Sequence, residues 1–134
     1  MTTADDPMTQ RAVADAIVQR AADQLRDLLK QVAARIDPFP AFPGAMFAYG
    51  IEVEPPAGTA EAVGCVVLGD DGALYELQIG LDQHALAQGA DAMTTRHEEL
   101  VPLALPPAEY VGYAHRAVIA ATDYLEQQRR QSAR

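Results

Sequence analysis

The chain has little positive charge. Its 134 residues carry 10 Lys plus Arg against 19 Asp plus Glu, a formal net charge of -9, and Lys30 is the one lysine. Attraction to a phosphate backbone or to anionic lipid needs clustered cations, so this balance argues against nucleic acid and against a membrane as partners. No apolar run approaches the roughly 20 residues that span a bilayer. Asp5 and Asp6 stand where a secretory leader would carry basic residues. Cys65 is the single cysteine and has nothing to pair with in the chain. Together these features lead us to expect a cytoplasmic protein. Internal repeats, low-complexity tracts and recognisable cofactor motifs are absent, so no cofactor is expected. The two glycines of Gly69-Asp70-Asp71-Gly72 precede a strand rather than a helix, and the aspartates between them repel phosphate.

What is present suits one soluble globular domain. The apolar fraction of 49% and charged fraction of 22% lie well away from disordered compositions, and the length supports one core rather than two. Asp6 is a good N-cap, and Pro7 occupies the first helical position, where its missing N–H costs nothing. Pro38 stops the pattern. We expect a flexible tail over residues 1–6 and a helix over 7–37. Winding that helix places Val13, Ile17, Ala21, Leu25, Leu28, Leu29, Val32 and Ile36 within an arc of roughly 160°. Arg20 with Asp23, Asp23 with Arg26 and Asp27 with Lys30 fall at the spacing of weak surface ion pairs.

Residues 45–81 read as antiparallel strands. Phe47, Tyr49, Ile51 and Val53 alternate with Met46, Ala48, Gly50 and Glu52. Val63 to Leu68 is apolar on both faces, as a covered central strand would be. Asp71-Gly72 supplies the turn of a hairpin, after which Tyr75, Leu77, Ile79 and Leu81 share one face and Leu74, Glu76 and Gln78 the other. Periodicity then fades. We expect residues 82–106 to form a loop with an edge strand near Leu100, kept at the edge by Pro102. A second long helix is expected over 107–131, with Val111, Ala114, Val118, Ala121, Thr122 and Leu125 on its main face. Strands grouped between two helices predict an α+β fold, an antiparallel three- to four-stranded sheet with both long helices on one face.

The stretch from 37 to 50 holds all three phenylalanines, Phe39, Phe42 and Phe47, together with Pro38, Pro40 and Pro43. It satisfies a bare PxxP pattern without the basic residue such ligands usually add. A stiff connector closing the core under the first helix explains it better.

Two functional readings follow. The first is a small acidic, non-enzymatic protein-binding module, adaptor or chaperone-like, whose partner is another protein or a second copy of itself. Its candidate contact residues are Phe39, Phe42, Tyr113 and Tyr124, because the C-terminal helix carries more apolar arc than one sheet face can bury. Met46, Ala48, Val66, Leu68 and Leu74 are the sheet residues expected on an open face. The second reading is a small-ligand-binding or metal-binding protein, or an enzyme, with residues 82–99 over a pocket between sheet and helix. His84, His97, Glu98 and His115 are its candidate ligands, since imidazole and carboxylate are common metal donors. The run His97-Glu-Glu-Leu-Val101 lacks the second histidine of the H-E-x-x-H arrangement. No nucleophile, acid or base is singled out as catalytic, and Cys65, set in an apolar strand, should be an inert thiol of raised pKa.

Overall fold

The computed structural model of the chain describes residues 6–43, 48–58, 64–91 and 96–133. Helix α1 (Pro7–Ala34) leads into strands β1 (Ile51–Val53), β2 (Cys65–Leu68) and β3 (Leu74–Leu81). A short helix α2 (Gln83–Ala87), strand β4 (Arg96–Pro102) and a second long helix, α3 (Pro107–Ser132), complete the order. The four strands form one antiparallel sheet in the order β1-β2-β3-β4, so the α+β architecture expected from the sequence is the one observed. The expectations placed on residues 1–5, Met46, Phe47 and Val63, and on residues 92–95 within the 82–99 segment, lie outside the described residues.

Local chemistry explains where the elements begin. The Asp6 carboxylate accepts a hydrogen bond from the Met8 amide at 3.2 Å, and Pro7 follows at the first helical position. Asp82 caps α2 in the same way, accepting from the amides of His84 and Ala85. In the β2–β3 turn the Gly69 amide donates to the Ala73 carbonyl and the Gly72 amide to the Gly69 carbonyl, while Gly72 adopts a φ of 80°. That left-handed conformation is one an L side chain rarely adopts.

One core lies between the helices and the sheet. Leu29, Val32 and Ile36 of α1 and its exit pack with Val53, Val66, Leu68 and Leu74 of the sheet and with Tyr110, Tyr113, Ala114, Ala117 and Ala121 of α3. The two long helices run in the same direction. Arg26 lies over the Tyr110 ring at the start of α3, 4.7 Å from its centroid, and Gln128 near the other end donates to the Pro38 carbonyl at 3.1 Å. Alanines at 22, 114, 117 and 121 line the helix contact, and small residues let helix axes approach closely.

Several expectations are corrected. Helix α1 ends at Ala34 rather than at residue 37. The first strand covers only Ile51–Val53, and the residues just before it pair with the connector instead: the Phe42 amide donates to the Ala48 carbonyl and the Gly50 amide to the Pro40 carbonyl. The edge strand begins at Arg96, so Arg96 to Glu99 are paired strand and not loop. The helices cover the Val66, Leu68 and Leu74 face, the one expected to stay open. Leu74 is packed in the core, whereas Glu76 and Gln78 on the same face lie further along β3.

The opposite sheet face carries Val67, Tyr75, Leu77, Ile79, Glu98 and Leu100 by register. The Phe/Pro connector folds onto part of it. A β-carbon on Gly50 would overlap Val67 Cγ1, and the Ala48 amide donates to Glu98 Oε2 at 3.2 Å. Phe39 is half-buried against the main core, and Phe42 is half-buried.

Candidate functional site

The residues singled out as ligands do not converge. His84 sits on α2, exposed, with its Nε2 3.1 Å from the Gln88 side-chain nitrogen. His97 and Glu98 are neighbours on β4 and therefore project to opposite faces of the sheet. The His97 ring lies over Gly80 on the opposing strand, where a β-carbon would come within 2.5 Å of it. His115 is exposed on α3. Among the described residues no group of three His, Cys, Asp or Glu side chains is placed to hold a metal ion.

Glu98 is the exception to the solvated pattern of its neighbours. Its side chain is 2% exposed and pairs with Arg96 at 3.2 Å on the same face of β4. The Arg96 cation and the Ala48 amide together supply the compensation that a buried carboxylate needs. This geometry pins the connector to the sheet. Nearby, a cleft of about 350 Å³ is bordered by Ala48, Tyr49, Asp70, Glu98 and Leu100. A second cleft of similar volume, bordered by Glu52, Glu54, Arg116, Ile119 and Asp123, lies between β1 and α3. Its carboxylates and single guanidinium form a solvated polar rim.

Cys65 and Tyr110 have environments that shift their titration in a clear direction. Burial pushes the Cys65 thiol up, and the nearby Glu52 carboxylate adds to the shift, so the thiolate is disfavoured as expected. Burial also raises the Tyr110 phenol, against the opposing influence of Arg26.

The expected contact aromatics are committed to the interior. Tyr113 is 3% exposed within the core, and Tyr124 packs half-buried against it. The surplus apolar arc of α3 has a simple cause: this helix must cover α1 as well as the sheet, and two neighbours need two adjacent faces.

Most of the exposed large apolar side chains lie instead on α1 and at the far end of the sheet, with Ile119 exposed on α3. Every described residue up to Ile17 is exposed, and the first buried side chain of α1 is Ala22. Since Arg26 already lies beside the start of α3, the preceding turns run past it as an arm. Val13 is 54% exposed, Ile17 60% and Leu28 41%. At 100° per residue these three share a stripe whose centre lies about 120° around the helix from the buried residues Leu29 and Ile36. The single wide arc expected from the sequence is thus two stripes, one buried and one bare. Tyr49, Ile79 and Leu81 are also exposed. Helix length was the available signal: 28 residues extend about 42 Å, while the longest strand has 8 residues and reaches about 27 Å. A helix longer than its sheet overhangs.

No known protein family matches this chain, and neither a curated protein nor a solved structure matches it. Among the described residues no helix is long and apolar enough to cross a membrane.

Proposed function

We propose that this protein is a small acidic, non-enzymatic protein-binding module that works as a homodimer, in the manner of an adaptor or chaperone. The bare stripe of Val13, Ile17 and Leu28 on an overhanging helix carries this reading. Fully burying such a side chain gains roughly 1.5–3 kcal/mol, and at 54%, 60% and 41% exposed these three leave about half of that gain unused in the fold of one chain. The exposed Tyr49, Ile79 and Leu81 offer a separate apolar surface for a client segment, while the net charge of -9 disfavours nonspecific association with nucleic acid.

The test is native mass spectrometry of the full chain beside the same sample denatured, supported by light scattering on a sizing column. A dimer mass with nothing added is the expected result. A monomer at concentrations of tens of micromolar refutes the homodimer. Added mass that disappears on denaturation favours a retained ligand and the second reading of the sequence.

A further inference from the structure

The bare stripe of α1 has a pattern that selects one occupant. Ala14, Ile17, Ala21, Gln24, Leu28 and Gln31 follow one another at alternating spacings of three and four, the repeat of a helix-pairing seam. All of them are exposed except Ala21, which is half-buried. On one flank of this seam Leu25 and Val32 turn towards the chain's own core and Val18 is half-buried. The other flank carries Val13, Arg20, Asp27 and Ala34, all exposed. Among the described residues neither Arg20 nor Asp27 takes a partner. Of the three expected surface pairs on this helix only Arg26 with Asp23 forms, at 3.1 Å.

We propose that α1 of one chain packs antiparallel against α1 of a second copy, about a two-fold axis passing between residues 22 and 23. This rests on the homodimer reading above and names its interface. Setting Ile17 opposite Leu28 of the second copy fixes the register, because positions paired across an antiparallel seam have a constant sum. Ala21 then meets Gln24, and Ala14 meets Gln31, small against long in each layer. On the free flank the same register leaves Arg20 and Asp27 two residues, about 3 Å of helix rise, from level with one another and so within reach across the seam, and it leaves Val13 equally near Ala34. The two-fold axis makes every pair twice.

A parallel arrangement loses this match. It sets Ile17 against Ile17 and directs Arg20 towards the Leu25 flank, which is already occupied by the core. Two unpartnered opposite charges at a spacing that satisfies both across a two-fold axis are charge complementarity with the chain's own copy. An unrelated helix has no reason to share it.

The experiment uses the full chain and measures its dimer dissociation constant by analytical ultracentrifugation, with circular dichroism melting as the folding control. Arg20→Asp and Asp27→Arg each place like charges across the seam twice, and each weakens the dimer by roughly tenfold or more. The double variant Arg20→Asp/Asp27→Arg restores the affinity to within a few-fold. In a Cys65→Ser background, Ile17→Cys/Leu28→Cys forms an intermolecular disulfide on mild oxidation, whereas either cysteine alone does not. A dimer unaffected by both single reversals overturns this interface and leaves the homodimer standing on another surface. Failure of the double variant to rescue overturns the register. A monomeric wild-type chain overturns both the interface and the homodimer.

Discussion

The backbone of Gly72 rests against the backbone of Lys30: a β-carbon at position 72 would come within 2.6 Å of the Lys30 α-carbon and 2.8 Å of its nitrogen. The β2–β3 turn therefore seats directly on α1, joining a local hairpin to the helix that covers it. Gly72 also has a φ of 80°, so two independent constraints demand glycine. Gly72→Ala incurs the left-handed penalty of roughly 1 kcal/mol and forces two backbone segments apart, because neither obstacle is a side chain that can swing away. We expect a stability loss of about 2 kcal/mol or more, measured as a lower urea midpoint. Glycines 58 and 89 have similar φ values with nothing near the missing β-carbon, so Gly89→Ala shows the conformational penalty alone.

The Glu98 and Arg96 pair makes the next prediction. Glu98→Ala leaves a cation short of its partner and frees the Ala48 amide. We expect a loss of about 2–3 kcal/mol, somewhat below a fully buried pair because Arg96 keeps contact with water. Glu98→Gln retains an oxygen for the Ala48 amide and loses less. Glu99→Ala, an exposed neighbour on the other face, changes stability by no more than about 0.5 kcal/mol. Equal losses at 98 and 99 in urea denaturation would disprove the connector's attachment through Glu98.

These two contacts also show how much of the fold was legible. The Asp6-Pro7 start, the Asp71-Gly72 turn and the period-2 alternation of β3 are local signals, and the structure follows each. Strand β4 was hidden because Arg96-His97-Glu98-Glu99 is polar on both faces, so alternation had nothing to register. Its pairing with β3 is nonlocal, and Glu98 is buried where Arg96, two residues away on the same face, and the distant Ala48 amide both meet its carboxylate. The choice of covered sheet face was misread for a related reason. Leu74, Glu76 and Gln78 share a face, yet the apolar member meets the helices and the polar ones lie further out. A pattern in one strand cannot show where a helix above it ends.

Tyr75 provides a test in alkaline solution. Its hydroxyl donates to the Asp71 carboxylate. That hydrogen bond, then burial, then the charges of Asp71 and Asp70 push its pKa from 10.0 to about 12. The folded chain thus keeps a proton that the unfolded chain has released. The contribution of this group to stability is complete below about pH 10 and disappears as pH rises towards about 12. Subtracting the phenolate absorbance titration of Tyr75→Phe from that of the wild type isolates this transition. Asp71→Asn removes the charged acceptor, so the midpoint falls towards the ordinary tyrosine value. An unchanged midpoint in Asp71→Asn would show that another group holds the proton.

Leu28 and Leu29 are sequence neighbours with opposite surroundings. Leu29 is fully buried against sheet and α3, while Leu28 lies on the bare stripe. Leu29→Ala opens a cavity and should lower stability by about 2–5 kcal/mol at any protein concentration. Leu28→Ala removes nothing from the core of one chain, so in dilute solution its melting temperature should match the wild type. The difference should appear on concentrating the protein. Dimerisation stabilises the folded state by mass action, so the wild-type melting temperature rises with concentration. Loss of the Ile17 and Leu28 contact should flatten that rise. A Leu28→Ala melting curve as concentration-dependent as the wild type would separate this residue from self-association and leave it as bare surface.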